Sequence, residues 1–101
     1  MRRQTKFTGV SPSVWKEAYD RDGGICRHCG KGGVLQACHF VSRARGGMGI
    51  PTNLVMLCPD CHREMDQGDG KEIKREMREY LQSLYPLWDE EKQKYTKETG
   101  R

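Results

Sequence analysis

Apolar positions along this chain change their spacing several times, and each change marks an element. Val14, Ala18 and Tyr19 recur at helical intervals with Trp15 beside them, which predicts a helix over about 12–22 with one apolar face. Ser11-Pro12 is its start, serine as N-cap and proline at the first helical position, and Gly23-Gly24 its end. Two short apolar runs follow, residues 34–41 and 53–57, and both read as strands. The segment 42–52 between them holds Gly46, Gly47, Gly49 and Pro51 and reads as a loop. Pro59 and Asp60 open a second helix through about Asp66, closed by the turn Gly68-Asp69-Gly70. From Lys71 the spacing is helical again. Met77, Leu81, Leu84 and Trp88 form a stripe flanked by Tyr80, and Pro86 kinks or splits this helix.

The order helix, cysteine turn, strand, loop, strand, cysteine turn, helix, long helix predicts an α+β fold. With 101 residues, the chain is expected to form a single domain: an N-terminal helix (about 12–22), a core (about 24–70) and a C-terminal helical extension (about 71–97). Only 35% of residues are hydrophobic and 32% are charged, so the core is small and calls for a staple such as a metal. The first residues, Met1 to Lys6, lead into no apolar stretch, and nothing approaches the ~18 apolar residues of a membrane span. The expectation is a cytoplasmic protein without a membrane partner, whose thiols stay reduced. The last residues, 96–101, read as a frayed end.

In that setting five cysteines read as metal ligands rather than disulfides. Cys26-x-x-Cys29 and Cys58-x-x-Cys61 supply four thiolates, enough for a tetrahedral structural zinc site. A redox role of the thioredoxin type is disfavoured, because no βαβ pattern surrounds either pair. The excursion between the pairs carries Cys38, His39 and Asn53. His62 and Asp66 are four apart on the second helix, so an imidazole nitrogen and a carboxylate oxygen on one face can share a divalent ion. Cys38 and His39 are adjacent on a strand and point to opposite sides.

Charge adds a partner. Residues 23–59 contain no Asp or Glu but include Arg27, Lys31, Arg43 and Arg45. Such a stretch suits a polyanion, although a solvated loop would look the same. His28 inside the first cysteine turn reads as exposed or as a minor phosphate contact, and Asp69 as a carboxylate ranking behind Asp66.

The stretch from Cys26 to Asp66 resembles the HNH endonuclease family, the ββα-metal nucleases. Its naming residues fall on His39, Asn53 and His62. The family's glycine-containing loop matches 42–47, and its Asn-Leu-x-x-Leu-Cys-x-x-Cys-His run matches 53–62. The fold implied is a small ββα-metal core stapled by a zinc-ribbon-like four-cysteine site, flanked by the N-terminal and long C-terminal helices. The activity implied is metal-dependent hydrolysis of DNA phosphodiester bonds to 5′-phosphate and 3′-hydroxyl ends. By position, His39 would be the general base, His62 and Asp66 ligands of a catalytic divalent metal, Asn53 the tie that orients His39, and Arg43 and Arg45 phosphate contacts.

The residue before the base is usually an acid or histidine ligand in this family, and here it is Cys38. The catalytic metal stays open among Mg²⁺, Mn²⁺, Ni²⁺ and Zn²⁺: Cys38 could ligate one softer than Mg²⁺, such as zinc, manganese, cobalt or nickel, remain a protonated bystander with water in its place, or mark a weakened enzyme. Compact forms of this kind resemble those of phages and prophages, which would place the protein in a bacterial host with DNA, packaging proteins such as terminase, or a second copy in a homodimer as partners. Two other functions fit the same scaffold. One is a non-catalytic zinc-ribbon DNA-binding module, and the other a redox or zinc-sensing switch at Cys38.

Overall fold

The computed structural model describes residues 9–68 and 70–94. Among the described residues, three helices surround a two-stranded antiparallel sheet, an α+β arrangement. Helix α1 spans Pro12–Arg21. The Ser11 Oγ accepts the backbone N–H of Val14 at 3.2 Å, which satisfies one of the donors a helix start leaves open. The helix ends at Asp22, and Gly23 and Gly24 follow at φ of 75° and 70°, a left-handed geometry that favours glycine. Ala18 is its fully buried contact, with Val14, Trp15 and Tyr19 packed half-exposed around it.

Strand β1 (Gln36–His39) pairs with β2 (Leu54–Leu57), Gln36 opposite Leu57 and His39 opposite Leu54. Both strands are shorter than the apolar runs suggested. Val34 is 73% exposed and lies outside the ladder, while Phe40 and Val41 leave it to bend into the loop. Asn53 belongs to a 3₁₀ turn, Pro51–Asn53, rather than to β2. A second 3₁₀ turn, Arg43–Arg45, lies earlier in the loop. All four β2 residues are buried, because α1 packs on the sheet from one element and α2 from another.

Helix α2 (Pro59–Gln67) starts on proline with Asp60 in its first turn, where a negative charge suits the helix dipole. Helix α3 (Lys71–Leu84) buries Ile73, Met77 and Leu81 against the sheet and α2. The expected apolar stripe is cut short. Tyr85, preceding Pro86, is extended, as the residue before proline prefers, so the helix stops at Leu84, which is 39% exposed. Trp88 reaches the core from the segment beyond, edge-on to Phe40 at 5.4 Å, with its indole N–H on the Thr52 carbonyl at 2.7 Å. The C-terminal extension is therefore helical only to Leu84, with a 3₁₀ turn at Glu90–Gln93. Residues 95–97 of the expected helix, the frayed end at 96–101, the first eight residues and Asp69 lie outside the described residues.

Two features tie the layers together. Met48 N donates to Gln93 O at 2.9 Å and Gly47 bridges Lys94, pinning the loop to the C-terminal segment. A Cβ on Gly47 would lie 1.6 Å from the Val41 carbonyl oxygen, so no other residue fits there. Deeper in, the Asp22 carboxylate is fully buried. It accepts from Arg21 Nε at 2.7 Å and Nη2 at 3.0 Å, Met56 N at 2.9 Å and Tyr80 Oη at 2.5 Å. Arg21 also donates to the carbonyls of Pro51 and Leu54, at 2.7 and 2.6 Å. One ion pair thus joins α1, β2 and α3.

Candidate active site

Both cysteine turns meet. The sulfurs of Cys26, Cys29, Cys58 and Cys61 all lie within 4.8 Å of one another. Cys29 Sγ and Cys58 Sγ are 3.8 Å apart, which matches the ~3.8 Å edge of a tetrahedron with Zn–S bonds of ~2.3 Å. Local geometry produces this. Gly30 at φ 84° lets its N–H return to Cys26 O at 2.9 Å, closing the first turn, and Cys58 caps α2 so that Cys61 sits in its first turn. Burial disfavours the Cys26 thiolate, but backbone N–H groups of Cys29, Cys58 and His28 outweigh it and lower its pKa to about 6. Burial and the neighbouring sulfurs of Cys58, Cys26 and Cys29 push the Cys61 thiol the other way. Four sulfurs drawn this close are stable around a cation, and their number, type and spacing fit zinc.

A second site opens beside the frame. Val10, Ala37, His39, Ser42, Arg43, His62 and Asp66 line an open cleft of about 510 Å³. His39 ends β1 on the same side as Ala37, by the alternation of a strand. The turn beyond it is held by Asn53, itself fully buried. Asn53 Oδ1 accepts Val41 N at 2.9 Å, its Nδ2 donates to Val41 O at 3.2 Å and Met48 O at 2.8 Å, and its carbonyl accepts Phe40 N at 2.8 Å. Asn53 thus fixes the chain on the far side of His39 without entering the cleft.

His62 and Asp66 face the cleft from α2, Nε2 to Oδ2 at 3.2 Å. The other ring nitrogen, Nδ1, lies 2.7 Å from Gln36 Oε1. An amide oxygen only accepts, so Nδ1 donates to Gln36 and Nε2 is the ring atom turned to the Asp66 carboxylate. A contact at that distance has room for a hydrogen bond or for one shared cation. One nitrogen and one oxygen donor suit a divalent ion such as Mn²⁺, Ni²⁺ or Zn²⁺.

Other candidates are placed differently. Cys38 is not part of the cleft wall. It is fully buried, its thiol 3.5 Å from Met65 Sδ, and burial, with the nearby Asp66 charge, drives its pKa upward. Arg43 lines the cleft. Arg45, on the same 3₁₀ turn, is exposed beyond it. His28 pairs with Glu76 of α3 at 2.6 Å, and that hydrogen bond raises its pKa. Gln36 and the Arg21–Asp22 pair went unread in the sequence. The single cue to Gln36 was a polar residue inside the apolar run 34–41.

Residues 26–67 match the HNH endonuclease family, and in this segment lies an HNH domain whose four-cysteine cluster is consistent with a zinc site. The chain is also similar to the type IV methyl-directed restriction enzyme EcoKMcrA of Escherichia coli (strain K12). They are 31% identical over 74 residues, which cover 64% of this chain and 27% of that enzyme. The chain therefore corresponds to about a quarter of that relative's length. Among the described residues, no helix is long and apolar enough to cross a membrane.

Proposed function

We propose that this protein is a metal-dependent DNA endonuclease that hydrolyses phosphodiester bonds with His39 as general base. The observation that carries the reading is the convergence of His39, His62, Asp66 and Arg43 on one cleft within an HNH domain. A DNA phosphate in the cleft would present its non-bridging oxygens to Arg43. His39 accepts a proton from a water molecule as the water oxygen bonds to phosphorus and the bond to the 3′ oxygen breaks. His62 and Asp66 are the residues that would hold the divalent ion, whose chemistry when bound is to stabilise negative charge on the phosphate and the departing oxygen. Gln36 orients His62, and Asn53 keeps the turn after His39 in register. The buried, protonated thiol of Cys38 is left out of this ligand set. The frame cysteines are the residues that would hold a structural zinc, which would fix the start of α2.

The test is cleavage of supercoiled plasmid by the zinc-loaded protein and by His39→Ala, each without added metal and with Mg²⁺, Mn²⁺, Ni²⁺ or Zn²⁺. Nicking or linearisation that needs the metal, and falls by roughly 10²–10⁴-fold in the variant, supports the reading. Undiminished cleavage by His39→Ala, or none by the wild type with any metal, overturns it. Because a base must be unprotonated, the rate should rise with pH through the imidazole range, and a flat profile would argue against His39.

A further inference from the structure

Helix α3 sorts its charges by sign. By helical geometry Lys71, Lys74, Arg75 and Arg78 fall within an arc of about 100°. Glu72, Glu76 and Glu79 occupy a separate arc, and Ile73, Met77 and Leu81 form the buried face. The basic residues are neighbours at i,i+3 and i,i+4 (71 with 74 and 75, 78 with 74 and 75), and each such like-charged pair works against the helix. Interleaving the glutamates would have relieved this. Instead Glu76 turns away to His28 at 2.6 Å, and Arg78 reaches Glu90 at 3.5 Å. Among the described residues Lys74 and Arg75 make no ion pair. Lys74 Nζ and Arg78 Cζ rest 5.4 and 5.5 Å from the centroid of the buried Phe40 ring. An aromatic face holds a cation without neutralising it. Phe40 is the residue after His39, so the ordered charge stands beside the strand end that carries the base.

We infer that this stripe is a second contact surface for the phosphate backbone of duplex DNA, outside the cleft and outside the 26–67 segment that matches the family. The inference rests on the reading of DNA as the substrate. From Lys71 to Arg78 the stripe rises about 10 Å, and successive phosphates of one strand advance ~3.4 Å along the duplex axis, so it spans about three phosphates. Its role is to hold the duplex while the cleft acts, without reading sequence.

The experiment measures binding of the zinc-loaded full chain, carrying His39→Ala to prevent cleavage, to a fluorescent ~24-bp duplex by anisotropy between ~50 and ~200 mM salt. Arg75→Gln is the primary variant, because Arg75 is exposed and makes no ion pair whose loss would disturb the fold. It should reduce the slope of log K against log salt by about 0.9, and Lys74→Gln/Arg75→Gln/Arg78→Gln by about 1.8–2.7. Lys16→Gln on α1, a salt-bridged cation away from the stripe, should leave the slope in place. A parent that binds with a salt-dependent slope which Arg75→Gln and the triple variant leave unchanged overturns the stripe alone. A slope lost equally in Lys16→Gln does the same, since the effect would then be general charge. A parent that fails to bind the duplex overturns both the stripe and the nuclease reading.

Discussion

Replacing Asp22 with alanine removes the acceptor on which three elements converge. The carboxylate has no exposure and receives Arg21 Nε at 2.7 Å, Arg21 Nη2 at 3.0 Å, Met56 N at 2.9 Å and Tyr80 Oη at 2.5 Å. Burial opposes the charge on Arg21, and Asp22 with the Tyr85 hydroxyl overcomes it and raises the guanidinium's pKa. In Asp22→Ala that guanidinium, with its side chain only 14% exposed, keeps two carbonyl partners and loses its counter-charge, and the Met56 amide is stranded beside it. Breaking a buried pair from one side costs about 3–5 kcal/mol. The orphaned amide is part of that figure rather than an addition to it. For a domain of this size the loss corresponds to a fall in Tm of about 15–30 °C. The assay is thermal unfolding followed by circular dichroism, with zinc in fixed excess so that metal occupancy does not vary between proteins. A double-mutant cycle with Arg21→Met should show coupling of about 0.5–3 kcal/mol. A loss below about 1 kcal/mol, or strictly additive effects, would refute the claim that this pair organises the fold.

Stripping the cysteine-bound ion with a strong chelator should unfold the domain and release about one zinc per chain, because in small domains metal binding and folding form one equilibrium. A chelated chain with an unchanged circular dichroism spectrum would contradict this. Gln36→Leu should leave the fold intact but weaken Mn²⁺ binding at the cleft by about 10–100-fold, as loss of an orienting partner does. Calorimetric titration giving wild-type affinity would remove Gln36 from that role. Gly47→Ala forces its Cβ against the Val41 carbonyl, so it should cost at least about 2 kcal/mol by denaturant titration, and a neutral effect would mean the loop backbone yields freely there.

What could be read from the sequence was what depends on neighbours along the chain. Ser11-Pro12 stated a cap that the Ser11 to Val14 hydrogen bond realises, and the two Cys-x-x-Cys turns stated a four-sulfur cluster. The i,i+4 spacing placed His62 and Asp66 side by side. The features that escaped depend on distant partners. Gln36 meets a histidine 26 residues later, and Asp22 meets Tyr80 across 58 residues. At the end of an exposed helix, Arg21-Asp22 looks like any solvated pair until β2 and α3 close over it. Trp88 kept the helical phase of Met77 and Leu81 in the sequence, yet it enters the core from beyond the helix, because Pro86 had already turned the chain.

The direct succession of Cys61 and His62 on α2 has an evolutionary consequence. A zinc frame that grips Cys58 and Cys61 would set the rotational phase of the helix, and each further residue turns about 100° from the last. Substitutions along α2 can be tested one at a time by selection, since they leave that phase untouched. A single inserted residue between Cys61 and His62 would swing both His62 and Asp66 away from His39 at once. Even a full added turn would carry them ~5.4 Å along the axis and out of the cleft. Variation in length should therefore be absent between Cys58 and Asp66 in functional relatives and concentrated after Gln67, where no such phase has to be kept.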